Sequence, residues 1–574
     1  MLTVQSECGK ENAICKFHLD ISHALTMMIS TKTKVFAENG NLYKYDVTNT
    51  SSATPIPTDE IISADGWPEA RLVTVANGQM PGPTITVWEG QRVIVDVTNN
   101  LETRDVTIHW HGIHQLGSPW MDGVPYITQC PISPSQSFRY DFVVKQTGTF
   151  WWHSHAGRER SNGLYGAFVV KPREQDEAIE EYVFTIQDWN HSEDADLAGM
   201  KDLFYDGHKV WTPFKTYDGQ DWGNYRIHSA LLNGRGRFRH QEKGTVIDSP
   251  VETFNVTSGK RYRFRVINAA TFYAFRVSID DHEITIVASD GSDIQPVVCE
   301  SFAIFPGERY DFIITADRLP KSYWIRAQAM LDSDYVITAE AVLQYANVLP
   351  AIPTTTRNCK AFGICKVFNC PFLVFPEPLT ICLPLGSMKG LNRNPVPRYE
   401  YGNFVEHFLS FGFVNHMATV NGKKFKSPDV NIYSQPKGLK WPCDLANCTD
   451  FQICSCTHTL NIPMGATVQL VFANYVQPNG KYDEPHPIHL HGHSFYVIKV
   501  GFGVYTEDYG KVVGHNADLT CNSAMCNRAR WTNNTWTQEL PGADLETAPL
   551  KVNDTHPRSV GIWKINSMVE ITLK

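Results

Sequence analysis

The sequence predicts an all-β fold made of several consecutive β-sandwich or Greek-key barrel domains. Short runs rich in β-branched and aromatic residues, such as RLVTVANG, PTITVWEGQRVIVDVTNNL and QSFRYDFVVKQTGTFWWHSH, are punctuated by Gly, Pro, Asn and Asp. That is the pattern of short strands joined by turns. A Gly-centred turn followed by alternating apolar positions recurs in EGQRVIVDV, SGKRYRFRV, PGERYDFII and MGATVQLVF, which marks an internal repeat of one β-domain. A length of 574 residues with 42% hydrophobic content leaves apolar material for three or four separate cores.

Taken in order, residues 1–64 show little periodicity and end in the polar run DVTNTSSATPIPTDE, so they read as a poorly ordered leader or linker. Residues 65–175 form the first β-domain, with DVTIHWHGIHQ and LYGAFVVKP among its strands. Residues 176–350 form the second, carried by FNVTSGKRYRFRVINA, TFYAFRVSIDDHEITIVASDG and FAIFPGERYDFIITAD. Between 351 and 398 Pro and Cys dominate and periodicity fades, which reads as a linker or elaborated loop. Residues 399–574 form the third domain, with HMATVNGKKF, GATVQLVFANYV and HSFYVIKVG as strands.

Composition narrows the function classes. A net charge of -9 disfavours general affinity for nucleic acid or anionic lipid, and no stretch is long and apolar enough to span a membrane. Of fourteen cysteines, nine cluster at Cys359, Cys365 and Cys370, at Cys443, Cys448, Cys454 and Cys456, and at Cys521 and Cys526. Their spacing suits bridged loops better than paired zinc motifs. With glycosylation sequons at Asn49, Asn190, Asn255, Asn447, Asn533 and Asn553, they indicate a secreted, extracellular protein, although the N-terminus shows no clear signal peptide.

The chemistry lies in histidines: His109 and His111 in HWHG, His153 and His155 in WHSH, and His486, His489, His491 and His493 in HPIHLHGH. In a strand, residues i and i+2 share a face, so each HxH is a preformed chelating pair. Imidazole suits Zn, Cu, Fe and Ni, but three pairs with no carboxylate built into the motifs fit oxygen-activating copper better than one zinc needing four ligands. The first two pairs lie within one domain and the third more than three hundred residues later. A shared site must therefore sit where the first and third domains meet.

HWHGIHQ, WWHSHAG and HPIHLHGH resemble three of the four copper-binding motifs of the multicopper oxidases. NGQMPGPTITVWEGQ, WMDGVPYITQCPI, TFWWHSHAGRERSNGLYGAFVVKP and SFAIFPGERYDFI look most like laccases of animals, particularly invertebrates, over residues 65 to 550. The resemblance implies three cupredoxin-like domains, and His109 and His489 as holders of a type 2 copper. It implies His111, His153, His155 and His491 for a type 3 pair and His486 for a type 1 copper. His114 and His493 match no ligand position and are expected to support the others. The implied activity is one-electron oxidation of a diphenol-type reductant coupled to four-electron reduction of dioxygen to water. A ferroxidase, with Asp483 and Glu484 binding ferrous iron, is the alternative oxidase.

The family's fourth motif, HCH followed by another His, does not occur: after His493 the histidines are His515 and His556, neither beside a Cys. The third domain thus reads as C-terminally incomplete. Three readings follow: a laccase-like oxidase represented by an incomplete chain, a catalytically inactive binding or interaction protein of the same fold, or an oxidase whose tail uses other ligands such as Cys521, Cys526 and His556.

Overall fold

The computed structural model describes residues 6–174, 179–192, 214–216, 221–223, 227–240, 243–332, 336–357, 359, 363–371, 375–385, 388–391, 403–414, 417–440, 442–443, 454–474 and 487–500, and short strands between 504 and 564. The described residues hold strands, two short 3-10 turns and no α-helix.

The four Gly-centred repeats explain how the strands are launched. Gly90, Gly259, Gly307 and Gly465 all have φ between +78° and +90°, a left-handed conformation that glycine alone adopts at no steric cost. Each turn delivers a strand: Arg92–Asn99, Arg261–Asn268, Arg309–Thr315 and Thr467–Asn474.

In the first domain two sheets face each other. One has the order Ser6–Glu7, Ile85–Trp88, Tyr165–Lys171, Gly148–Ser154, Ile108–His111; the other runs Ser137–Val143, Arg92–Asn99, Ile14–Leu25, Leu72–Ala76. Leu19, Val95, Trp110, Tyr140, Trp152 and Phe168 fill the space between them, all fully buried. The expectation for residues 1–64 changes here. Ile14–Leu25 is not a loose leader but an inner strand, paired parallel with Arg92–Asn99 and antiparallel with Leu72–Ala76. Its Cys15, Leu19 and Ile21 point into the core while Lys16, His18 and Asp20 face out; CKFHLDI alternates apolar and polar with period 2, the signal of a strand with one face buried. After it, Met28–Ser30, Thr33–Glu38, Asn41–Asp46 and Asn49–Ile56 build a separate four-stranded sheet over Met27, Val35, Leu42 and Ile56.

The second domain packs a six-stranded sheet on a seven-stranded one. The region expected to be a linker or elaborated loop contributes to it: Cys365–Cys370 pairs with Ser301–Ile304 and with Thr380–Pro384. Disulfides Cys359–Cys365 and Cys370–Cys382 tie these strands, so the cysteines and prolines that blur the pattern are the joints of added strands. In the third domain Phe404–Val414, Thr467–Asn474, Ser559–Lys564 and Phe495–Val500 are consecutive neighbours of one sheet.

The first two domains are joined by buried charge. Asp311 accepts hydrogen bonds from Thr149 Oγ1 (2.6 Å), from Arg263 (2.6 Å) and from Arg265 (2.9 Å). Burial alone would raise the Asp311 pKa, but the two guanidiniums outweigh it and hold it below the ordinary 3.8. A folded-state pKa below the unfolded one gives stability that is complete above the ordinary carboxylate range and lost as pH falls through it. Asp311→Ala removes the carboxylate shared by part-buried Arg263 and buried Arg265, while Arg265 keeps Glu181 at 2.7 Å, so a loss of about 1–3 kcal/mol appears as a lower midpoint in thermal unfolding at neutral pH. An unchanged midpoint would show that this cluster does not hold the two domains together.

Candidate metal centre

Two antiparallel strands set the first donors. In the ladder between Ile108–His111 and Gly148–Ser154, His109 lies opposite His153 and His111 opposite Trp151. Opposed residues share a face, so His109, His111 and His153 project to one side, and all three are buried. His155 lies one residue beyond the strand, its backbone N–H donating to Thr107 O at 3.1 Å. The third pair differs from expectation: His489 and His491 stand in an irregular segment that turns at Gly492, ahead of the strand Phe495–Val500. Their rings nonetheless lie 4.4 Å apart. Here packing against the first domain, not strand alternation, aims the pair.

These six imidazoles converge between the first and third domains. His489 Nε2 is 3.3 Å from His109 Nε2, and His111 Nδ1 is 3.4 Å from His153 Nε2. Ring centroids are 4.0 Å apart for His109–His491 and for His111–His489, and 5.0 Å for His155–His491. Two triads, His109–His111–His153 and His109–His489–His491, each keep their ligand atoms within 4.8 Å of one another. His486, Asp483, Glu484, His515, Cys521, Cys526 and His556 lie outside the described residues.

Electrostatics keep three of these rings in the state a metal needs. Burial first, then neighbouring imidazoles and the Arg309 charge, hold His111 well below its usual pKa; burial and the Arg160 charge do the same for His153. His491 is lowered to about 3 by burial and His109, against the opposing pull of Asp122. Neutral imidazoles carry free lone pairs, which ligation requires, and a nitrogen-only donor set of this size fits copper.

Asp122 was not singled out by the sequence, yet it organises the centre. Its Oδ2 accepts from His491 Nδ1 at 2.7 Å and its backbone O from His109 Nδ1 at 2.7 Å. With Nδ1 spent on these bonds, Nε2 of each ring is left for a metal. Burial pushes the carboxyl up, but His491 and His109 pull harder and hold it far below the carboxylate range. Gly123 lets this loop lie flat on the first strand, for at φ +84° a Cβ would collide with the carbonyl of Ile108. The signal was the WMDG run between the first two motifs.

Supports for the docking are equally specific. His114 Nε2 and Ser494 Oγ are 2.7 Å apart across the domain boundary; His493 Nδ1 donates to His491 O at 3.2 Å. Backbone N–H groups of Ile432 and Tyr433 donate to Tyr126 O and Ile127 O at 3.1 and 3.0 Å. Beside His155 a cleft of about 460 Å³, lined by Arg104, Tyr126, Arg158, Glu159 and Ser427, opens to solvent.

Multicopper oxidase family models match residues 59–175, 180–348 and 423–541. This chain belongs to the multicopper oxidases. A laccase of Trametes maxima is 31% identical over 463 residues, covering 78% of this chain and 81% of the relative. A laccase of Trametes hirsuta is 32% identical over 461 residues, 78% of each chain. Among solved structures, Fet3p, a multicopper oxidase that functions in iron import, aligns with TM-score 0.64 at 20% identity over 96% of this chain and 85% of its own. The laccase of Botrytis aclada aligns at 0.62 and 22% identity, over 98% and 84%. The multicopper oxidase chain is accordingly a copper-dependent, laccase-like oxidoreductase of three cupredoxin-like domains that uses dioxygen and a reducing substrate. No helix among its described residues is long and apolar enough to cross a membrane.

Proposed function

We propose that His109 and His489 hold a type 2 copper, that His111, His153, His155 and His491 hold a type 3 pair, and that His486 serves a type 1 copper. The substrate would be a diphenol-type reductant, as in the animal laccases whose motifs the sequence resembles. Four molecules each give up one electron while one dioxygen takes four electrons and four protons to yield two waters. The observation that carries this reading is the meeting at 3.3 Å of His109 and His489, which stand 380 residues apart in the chain and in different domains. Copper, when bound, supplies the one-electron redox steps that no side chain here performs. The protein's own part is to gather six imidazoles, to hold His111, His153 and His491 in their neutral form, and to fix two rings through Asp122. The cleft beside His155 gives dioxygen and water a way in.

Oxygen uptake by the copper-loaded chain, measured with a diphenol and separately with ferrous iron, tests this. Uptake with the diphenol, without hydrogen peroxide release and with copper near four per chain, is expected. Iron turnover alone would favour the ferroxidase; neither activity, with far less copper, would leave only a binding role. Since the sequence contains no His-Cys-His, the same sample is scanned for thiolate-to-copper visible absorption. Uptake without that band would remove His486 as the electron entry.

Secretion is proposed on the bridges Cys8–Cys15, Cys359–Cys365, Cys370–Cys382 and Cys443–Cys456. Of the sequons, Asn49 and Asn255 are exposed and suited to a glycan. Asn190 is 5% exposed, with its Oδ1 bound to Ser192 N at 2.8 Å; Asn447, Asn533 and Asn553 lie outside the described residues.

A further inference from the structure

Among the described residues, the oxidase chemistry leaves one cluster of metal-binding side chains unused. In the third domain Cys443 and Cys456 form a disulfide with both residues buried, and His458 follows two residues later. Cys456 ends the short strand Cys454–Cys456, and the chain continues extended through Thr457, which bridges to Pro442. Positions 456 and 458 therefore share a side. The two sulfurs and one nitrogen of His458 all lie within 4.8 Å of one another.

Bonds that do not involve sulfur hold this backbone. Cys443 N donates to Thr457 O at 3.1 Å, Lys426 N to Cys456 O at 2.9 Å, and Thr457 Oγ1 to Lys426 O at 2.7 Å. If the disulfide opens, both thiols stay beside the imidazole, so little ordering is left for a ligand to impose.

We propose that the reduced form of Cys443–Cys456, together with His458, is a binding site for monovalent copper, separate from the histidine cluster. A dithiol reductant delivers two electrons and two protons to the S–S bond and itself becomes a disulfide. Two cysteine thiols result, and copper(I) displaces their protons to gain two thiolates and one imidazole. Thiolate is a soft donor that selects copper(I) or zinc. Structural zinc takes four ligands, whereas three donors satisfy copper(I), and the condition that opens the bridge also keeps copper monovalent. The site bears on how this copper protein holds metal under reducing conditions, and it stands whether or not the histidines hold a cluster.

The full-length protein is reduced anaerobically with dithiothreitol, freed of the reductant, and titrated with copper(I) against a coloured copper(I) chelator, with untreated protein as reference. One additional copper(I) per chain is expected after reduction. That ion should be lost in His458→Ala, which keeps both cysteines and whose fold is checked by circular dichroism, and in the double variant Cys443→Ser/Cys456→Ser. Equal copper in reduced and untreated protein overturns the proposal, as does retention of the extra ion in His458→Ala. Retention in the double variant would place the ion on other reduced cysteines and overturn it too. Displacement of the ion by equimolar zinc would overturn the choice of metal.

Discussion

His111→Ala or His489→Ala takes oxygen consumption to the floor of the assay. Each substitution deletes one of the two rings that lie 4.0 Å apart at the meeting of the first and third domains, and nothing nearby replaces a lost imidazole: Trp151, the ring at 4.9 Å from His111, has no lone pair to offer. A metal contributes several kcal/mol to the barrier it lowers, and about 1.4 kcal/mol corresponds to tenfold in rate. The expected loss is thus on the order of a thousandfold or more. Copper per chain should fall in the same samples, while thermal unfolding of the apo protein changes little or rises, because imidazoles gathered at a metal site serve binding more than folding. Any visible absorption from a type 1 copper should survive, since neither residue belongs to that site. Turnover retained in either variant would refute the assignment of both rings to the oxygen-reducing cluster.

Much of the centre was legible because it rests on local rules. Two-residue spacing in the strand Ile108–His111 puts His109 and His111 on one face, and the three-hundred-residue gap to the third pair required an interface between domains, which the 3.3 Å approach of His489 to His109 supplies. The Gly-turn-strand repeat likewise depends on one backbone conformation that any reader of the sequence can anticipate. What stayed hidden depends on distant pairing. Ile14–Leu25 alternates apolar and polar over CKFHLDI, but its place between Arg92–Asn99 and Leu72–Ala76 is set by strands dozens of residues away. Cys365–Cys370 joins a sheet through Ser301–Ile304, more than sixty residues earlier. His491 and Asp122 are 369 residues apart along the chain, so no local pattern could announce that one carboxylate would steer rings from two domains.

Asp122→Asn carries the second large effect, and it isolates what the carboxylate does. The amide matches the carboxylate in shape and leaves the backbone carbonyl that accepts from His109 Nδ1 in place. The bond at Oδ2 to His491 Nδ1 changes, as does the 3.3 Å approach of Oδ1 to His109 Nδ1: an amide oxygen still accepts, but the negative charge that makes each imidazole a better donor and its Nε2 a stronger base is gone. Partners of metal-bound histidines typically contribute 10–100-fold to affinity or activity, so copper affinity and oxygen uptake should each fall by roughly that factor. If instead Asp122 merely fills space, Asn would be neutral in both measurements. Asp122→Ala separates the remaining possibility. It opens a cavity and leaves the His491 N–H without its acceptor, which costs about 1–3 kcal/mol of stability on its own. A loss of activity confined to Ala, with Asn at the wild-type level, would make the residue a packing element, whereas a parallel loss in both ties the charge itself to the metal centre.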